Sequence, residues 1–269
     1  MTWGSPKISK KITIVMYHSV TPNPGPFAVT REAFLRQIQF IKECFSVVRL
    51  TDLNSLLLGE DDEERKLVIT FDDAYSSFLD FAYPALKELF LPCTIFVPTR
   101  FIGGQNEWDP RGKHDKPKLL MTASEITQLV KEGFADIGSH SVDHISMRGL
   151  TPREMEFQAV QSRKTLEDLL QSEVTLFSYP YGQLRDFSNE TLAAVRSAGY
   201  RLAVTSRWGT LNTYRDRLKL RRIFFDETDS NQDLRDKVEG KYDWFAAKER
   251  IGHLRTWKLK PPHLTRAND

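Results

Sequence analysis

Apolar residues along the chain recur in short runs that alternate with longer amphipathic stretches. Runs with the β-branched and aromatic character of buried strands occur at 12–17, 45–50, 67–71, 93–97, 134–137, 174–177, 201–205 and 218–225. Between most of them, apolar residues three and four positions apart predict helices. Alternating strands and helices favour a parallel sheet with right-handed crossovers, and about seven or eight such units favour a closed (β/α) barrel over an open sheet.

Helix boundaries are marked sharply at two places. The segments "TASE" at 122–125 and "TPRE" at 151–154 both fit a capping box, in which a threonine and a glutamate exchange hydrogen bonds at a helix N-terminus. Gly133 and Gly199 stand where helix C-terminal caps belong, each just before a predicted strand. In a barrel of this kind, functional residues are expected in the loops that follow the strands.

Length and composition indicate one globular domain. The chain has 269 residues, with 40% hydrophobic and 28% charged residues, so we predict a single catalytic domain over 1–269, with a core at about 11–226 and a C-terminal helix and tail at 227–269. The formal net charge of +2 is too small to indicate nucleic acid as a partner. A locally basic strip at 196–222 suits an anionic substrate or a membrane surface, although a solvated basic face is the commoner reading.

Two further expectations concern the environment of the protein. The apolar run that follows the polar N-terminus is too short for a signal peptide or a transmembrane segment, so a cytoplasmic protein is expected. Cys44 and Cys93 lie in apolar contexts, and two cysteines in a chain of this length predict buried free thiols.

The first candidate for chemistry is the stretch "LVITFDDAYSSF" at 67–78. Asp72 and Asp73 follow a buried strand, at the point where the chain leaves the core. Two adjacent carboxylates raise each other's pKa unless a cation is nearby. The alternative is that Asp72 caps the next helix and Asp73 is solvated.

The second candidate is "DIGSHSVDH", where His140 and His144 follow another predicted strand. Histidines four residues apart face the same way on a helical turn and are common ligands of zinc-like metals, although such pairs are often only surface residues. Together with Asp73 they would form a three-ligand site that leaves positions open for water and substrate. Asp72 would then remain ionised as a general base and take the proton of a metal-activated water.

The third candidate is "LFSYPYGQ", where Pro180 and Gly182 enclose Tyr181 at a strand end. Such a turn constrains the backbone, so that the Tyr181 amide could point at a developing oxyanion. An ordinary turn is the alternative.

In this order, "TFDDAY", "HSVDH" and "SYPYG" resemble the first three motifs of the polysaccharide deacetylase family, also called the NodB-homology or carbohydrate esterase 4 group. The resemblance implies a distorted (β/α) barrel of about seven parallel strands, one divalent metal that is usually zinc, and hydrolysis of N-acetyl groups on amino sugars. It implies roles for five residues by position: Asp72 as base, Asp73, His140 and His144 as metal ligands, and the Tyr181 amide as oxyanion donor.

The chain departs from the family pattern at three places. Ser178 stands where an arginine usually orients the base, "TSRWG" is only a faint counterpart of the fourth motif, and the histidine of the fifth motif is missing from "LKLRRIFF". We predict that Arg222 replaces the missing arginine as partner of Asp72, because its alternation with Leu218 and Leu220 points it inward. A structural ion pair or a slipped register is as compatible with the sequence.

The remaining site predictions concern the residues near the substrate and the general acid. Pro180, Trp208 and Arg222 are expected near the substrate, with Trp208 as a wall of the acetyl pocket. The strand "KITIVMYH" at the start of the chain ends in His18. Because a barrel is closed, this first strand could take the place of the last strand that should carry the missing histidine, as in a circularly permuted barrel. His18 is then predicted to be the general acid, and the alternative is that it only hydrogen-bonds the following loop.

The function predicted from these residues is metal-dependent removal of N-acetyl groups from an amino sugar, an oligosaccharide or a glycoconjugate precursor, with anionic and carrier-linked substrates left open. Two alternatives stay open: a deformylase or cyclic-amide hydrolase on the same fold, and a non-catalytic sugar-binding barrel. The complete carboxylate and histidine set argues against the last, since sugar binding alone needs no open metal site.

Overall fold

Strands and helices alternate along the chain in the computed structural model, which describes residues 12–22, 24, 27–58, 65–108 and 117–245. The strands are β1 (Ile12–Tyr17), β2 (Ser19–Val20), β3 (Ala28–Val29), β4 (Ser46–Val47), β5 (Lys66–Phe71), β6 (Cys93–Val97), β7 (Ala135–Ser139), β8 (Leu176–Ser178), β9 (Leu202–Trp208) and β10 (Leu220–Arg222). The α-helices are α1 (Arg31–Cys44), α2 (Leu53–Leu58), α3 (Tyr83–Glu88), α4 (Ala123–Lys131), α5 (Pro152–Glu156), α6 (Ser162–Leu170), α7 (Asn189–Ser197) and α8 (Asn231–Val238). Two π-helical turns, Phe78–Ala82 and Phe157–Gln161, precede α3 and α6.

Seven parallel strands form a nearly closed barrel in the order β1, β5, β6, β7, β8, β9, β10. The first strand of the chain closes it: the Met16 amide donates to the Ile223 carbonyl (2.8 Å), and the Ile223 amide donates to the Ile14 carbonyl (2.9 Å). The predicted distorted (β/α) barrel is therefore confirmed. β1 lies between β5 and β10, where a strand that replaces a missing last strand would have to lie.

Alternation along each strand divides the core into two layers. One buried cluster contains Ile14, Val68, Phe96 and Val204 and fills the barrel interior, while the larger cluster packs between the strands and the surrounding helices. Gly138 on β7 belongs to the interior face, and a Cβ there would lie 2.5 Å from the Phe96 ring. Glycine at this position gives Phe96 its place inside the barrel.

Several boundaries differ from the predicted ones. The strand predicted at 45–50 is only Ser46–Val47, and a 3₁₀ turn begins at Leu50. The strand predicted at 218–225 is only Leu220–Arg222, and its register against β9 shifts between these two residues. Both predicted capping boxes are confirmed, at the N-termini of α4 and α5. Gly133 (φ 77°) and Gly199 (φ 93°) adopt the left-handed conformation expected of helix caps.

Within the described ranges, no helix combines the length and the apolar character needed to cross a bilayer. Both cysteines are free thiols, as predicted, although Cys44 is only half-buried whereas Cys93 is buried.

Candidate metal centre

The candidate site lies at the C-terminal ends of the barrel strands. Inward-facing positions alternate along each strand, and for five strands the inward position at the C-terminal end, or one residue beyond it, carries a polar side chain. The positions continue the alternation of interior residues such as Ile14 on β1, Val68 on β5 and Leu220 on β10. The five residues are His18, Asp72, His140, Ser178 and Arg222.

Asp73, His140 and His144 converge beside this layer. Asp73 and Ala74 adopt left-handed backbone conformations (φ 73° and 53°), which turn the chain sharply after β5. The Asp73 Oδ1 atom lies 3.1 Å from His144 Nε2 and 3.5 Å from His140 Nε2, and all three residues are buried. Their ligand atoms lie within 4.8 Å of one another, so one ion could contact all of them.

The hydrogen bond of His140 indicates what these atoms are arranged to hold. His140 Nδ1 lies 2.8 Å from the Ser178 carbonyl oxygen, which can only accept, so Nδ1 carries the proton. The Nε2 atom of the neutral ring is then an acceptor that faces the carboxylate oxygen of Asp73. Asp73 Oδ1 is buried and receives no hydrogen bond of good geometry. Two acceptors that face each other in a buried site fit a cation between them, and a protonated nitrogen oriented by a carbonyl is typical of metal-ligating histidines.

The helical turn predicted for the two histidines is wrong. Ser141 (φ 65°) and His144 (φ 51°) are left-handed, and the loop after β7 is closed by a hydrogen bond from the His144 amide to Ser141 Oγ (3.1 Å). The predicted proximity nevertheless holds, since the imidazole centroids are 4.8 Å apart.

Asp72 is held by a buried bidentate ion pair. Arg222 Nη1 donates to Asp72 Oδ1 (2.8 Å), and Arg222 Nη2 donates to Asp72 Oδ2 (2.6 Å) and to Ser178 Oγ (3.2 Å). The predicted contact between Arg222 and Asp72 is therefore confirmed, and the hydroxyl of Ser178 completes it where the family has an arginine. Arg222 is only 1% exposed, so its direct contact with a substrate stays a prediction.

The charges of the site shift the pKa values of its members. Burial alone raises the pKa of Asp72, but the Arg222 guanidinium, together with His140 and His18, outweighs burial and holds that pKa below its ordinary value. Burial likewise raises the pKa of Asp73, and the imidazole of His144 with its neighbours brings it below the ordinary value. Both carboxylates are therefore ionised at neutral pH.

Burial lowers the pKa of His140 to about 4, with Asp72 opposing the shift. Burial also lowers the pKa of His18, and the charges of Asp73 and Asp72 oppose that shift, which places His18 within electrostatic reach of both carboxylates. Its role as acid stays a prediction.

The turn after β8 has the strained backbone expected of a tightly constrained site. Tyr181 (φ 60°) and Gly182 (φ 63°) are both left-handed, and the Gly182 amide donates to the Pro180 carbonyl (2.7 Å). A Cβ at Gly182 would lie 2.5 Å from the Ser206 amide nitrogen, so only glycine fits. The Tyr181 ring is half exposed and lies 5.1 Å from the His144 ring. The turn thus borders the metal ligands, while the oxyanion role of its amide and the substrate contact of Pro180 stay predictions.

Trp208 ends β9 and packs edge-on against Phe224, with ring centroids 5.2 Å apart. The Trp208 ring also contacts Tyr242, with ring centroids 6.4 Å apart, and the ammonium group of Lys237 lies 5.9 Å from its centroid. Contacts from α8 and from the segments on either side of it therefore support this tryptophan, and its part in an acetyl pocket stays a prediction.

Sequence reasoning missed two residues beside the histidines. Trp108 stacks on His144, with ring centroids 4.5 Å apart and planes at 30°. The one feature of the sequence that points to Trp108 is the long stretch at 100–118 after a predicted strand, since such a loop suggests a rim over the site without indicating which side chain turns inward. Gln158, a buried residue of the second π-helical turn, binds the loop that carries His144, and nothing in its local sequence indicates this contact.

Known proteins resemble this chain in sequence. Residues 59–203 match the family model described as polysaccharide deacetylase. The chain is 26% identical over 223 residues to YxkH of Bacillus subtilis, which is named for the same family, with 82% of this chain and 74% of that protein covered. It is 25% identical over 211 residues to the poly-beta-1,6-N-acetyl-D-glucosamine N-deacetylase of Staphylococcus epidermidis, with 73% and 68% covered.

Solved structures share the fold. The deacetylase PplD of Streptococcus pyogenes, solved with acetate, superposes with a TM-score of 0.72 at 22% identity over 86% of this chain and 99% of that one. IcaB from Ammonifex degensii superposes with a TM-score of 0.74 at 20% identity over 86% and 98%. Because the family model covers more than half of the chain, and because the barrel and the ordered motifs agree with it, this protein belongs to the polysaccharide deacetylase family and is a carbohydrate deacetylase.

Proposed function

We propose that the protein is a metal-dependent N-deacetylase that hydrolyses the N-acetyl group of an amino sugar, an oligosaccharide or a glycoconjugate precursor. The observation that carries this proposal is the contact between His140 Nε2 and Asp73 Oδ1, two acceptors 3.5 Å apart in a buried site, next to the ionised Asp72. A bound cation would make that arrangement favourable, and an ionised carboxylate beside a cation is an arrangement that can hydrolyse an amide.

Asp73, His140 and His144 would hold one divalent ion, and the mixed carboxylate and imidazole set suits zinc. When bound, the ion would supply Lewis acidity for the amide carbonyl and for the attacking water.

The residues of this chain would move the protons. Asp72, kept ionised and oriented by Arg222, takes a proton from the attacking water. The Tyr181 amide stabilises the negative charge that develops on the carbonyl oxygen. His18 gives a proton to the departing amine, so that acetate and a free amino sugar leave. Trp208 and Pro180 would border the acetyl group during these steps.

The substrate is proposed from the relatives. The Staphylococcus epidermidis relative is named for a polymer of N-acetylglucosamine, so oligomers of β-1,6-linked N-acetylglucosamine are the first substrates to test. The basic strip at 196–222 keeps anionic or carrier-linked forms among the candidates. A single domain over 1–269, a circularly permuted strand order and a cytoplasmic location remain parts of the proposal.

The test is to quantify acetate and formate together. The zinc-loaded protein is incubated with N-acetylglucosamine oligomers, their N-formyl analogues and cyclic amides, and Asp72→Asn prepared in the same way measures any contaminating hydrolase. Acetate release that is lost on chelation and restored by zinc supports the proposal. Release of formate alone, or opening of cyclic amides alone, would assign the same site to a deformylase or a cyclic-amide hydrolase. No hydrolysis of any of them, with sugar binding retained, would favour a silent barrel.

A further inference from the structure

The second π-helical turn and the first residue of α6 bring two buried polar side chains to the histidine loop. Gln158 is only 2% exposed, and Ser162, four residues later, is fully buried. The wider turn frees backbone carbonyls from the helical pattern, and side chains take them over: Ser162 Oγ donates to the Gln158 carbonyl (2.6 Å), and the Tyr200 hydroxyl donates to the Ala159 carbonyl (3.0 Å). π-helical turns of this kind recur at functional sites.

The amide of Gln158 makes three hydrogen bonds to two consecutive residues of the loop. Its Oε1 accepts from the amides of Val142 and Asp143, each at 3.0 Å, and its Nε2 donates to Asp143 Oδ2 at 2.6 Å. The other carboxylate oxygen of Asp143 lies 2.6 Å from Arg100 Nη1. The residue immediately before His144 is thus held through its backbone and through its side chain.

The loop needs such support because its backbone is unfavourable on its own. Ser141 and His144 are both left-handed, a conformation that residues with a side chain adopt at a cost in free energy. Ser162 provides a second contact: Ser139 Oγ donates to Ser162 Oγ (2.7 Å), and the Ser141 amide donates to Ser139 Oγ (3.1 Å). Gln158 in the π-helical turn and Ser162 at the start of α6 therefore both support the segment from Ser139, the last residue of β7, to Asp143.

We propose that Gln158 is a positioning residue that holds the loop so that His144 is directed at Asp73 and the metal. It acts through Val142 and Asp143 and does not touch the metal or the substrate. The inference rests on the proposed metal site, and its effect is therefore expected first in metal affinity. Residues that orient ligands from outside the coordination shell typically contribute about 10- to 100-fold to metal affinity.

The test first removes and then reverses the hydrogen bond that Gln158 Nε2 donates to Asp143 Oδ2. Gln158→Glu keeps an acceptor for both backbone amides but places a second carboxylate oxygen against Asp143, so the two repel. Competition with a chromophoric chelator should show a loss of zinc affinity of about 10- to 100-fold. In the double variant Gln158→Glu with Asp143→Asn, the new amide can donate to the new carboxylate. Its zinc affinity should return to within about threefold of that of Asp143→Asn alone, since the shared hydrogen bond is restored.

A matched control makes the same exchange elsewhere. Gln39 is an exposed residue of α1 whose Nε2 donates to Glu43 Oε1 at 2.8 Å. Gln39→Glu should leave zinc affinity unchanged, which separates a local effect at the loop from a general effect of added charge.

The outcomes separate this inference from the proposed function. If the wild-type protein binds no zinc, both are wrong. If the wild-type protein binds zinc and Gln158→Glu binds it equally well, only the inference about Gln158 is wrong. If Gln158→Glu does not fold, the double variant decides. A folded double variant whose zinc affinity is about 10- to 100-fold below that of Asp143→Asn alone would contradict the inference. A zinc affinity within about threefold of that of Asp143→Asn alone supports it.

Discussion

The turn after β5 and the loop after β7 face each other across the site, and different chemistry holds each of them. Asp72 is bound by the charged guanidinium of Arg222 through two short hydrogen bonds, whereas the loop before His144 is bound by the neutral amide of Gln158. A charged partner both orients a carboxylate and keeps it ionised. A neutral partner fixes geometry without adding charge beside the metal ligands. The base thus has an electrostatic support and the ligand loop has a geometric one.

The two supports should also differ in what they contribute to folding. Arg222 and Asp72 are both buried, and removal of one partner of a buried ion pair leaves an uncompensated charge. The amide of Gln158 can be exchanged for an isosteric acid without a change of volume. Variants of Arg222 and Asp72 therefore test the ionisation of the base, and variants of Gln158 test the positioning of the loop that carries His144.

Asp72→Asn should give the largest loss of turnover with the metal still bound. The amide keeps the shape of the side chain but cannot accept the proton of the attacking water, so turnover should fall by about two to four powers of ten, the usual contribution of a general base. Steady-state kinetics beside metal analysis of the same sample measure both quantities. Turnover within a few-fold of wild type would remove Asp72 from the mechanism.

His18→Ala should give a smaller loss. His18 is partly exposed at the end of β1, so water can donate in its place, and a fall of about 100-fold is expected, at the lower end for a general acid. A protonated imidazole is lost as pH rises through its pKa, which burial lowers. The alkaline limb of the pH profile of kcat/KM should therefore be missing or displaced in the variant, while metal content stays the same. An unchanged profile would leave the proton donor unassigned.

Arg222→Lys should give the smallest loss of turnover, and Arg222→Met should give the largest loss of stability. Lysine keeps the positive charge but cannot make the bidentate contact, so turnover should fall less than in Asp72→Asn. The companion variant Arg222→Met leaves Asp72 buried without a partner, and its free energy of unfolding should fall by about 3 to 5 kcal/mol. Urea unfolding of the two variants checks this order. Equal stability of Arg222→Met and the wild-type protein would show that the ion pair does not support the fold.

Much of the barrel and the base could be predicted because both follow from local pattern. Alternation of apolar residues on β10 already pointed Arg222 inward, and a buried cation on an apolar face needs an anionic partner, which Asp72 supplies. The ends of β4 and β10 were less predictable, since a 3₁₀ turn and a register shift depend on neighbouring strands rather than on the residues themselves.

The histidine loop could not be predicted in detail. The spacing of His140 and His144 fits a helix, but the observed left-handed backbone is held by Gln158, about fifteen residues further along the chain. Trp108 likewise reaches His144 from a different loop. Contacts between segments that are distant in sequence leave no mark in either segment alone, so a single sequence indicates the ligands but not what orients them.

The central claim is that Asp73, His140 and His144 bind one metal ion. It is tested most directly by the metal content of the wild-type protein and of His140→Ala, purified in parallel and analysed after dialysis against zinc. The wild-type protein should retain about one zinc ion per chain, and the variant should retain none and show no acetate release, because a three-ligand site that loses one imidazole keeps too few donors. Stoichiometric zinc together with full turnover in His140→Ala would contradict the assignment of Asp73, His140 and His144 as the metal site.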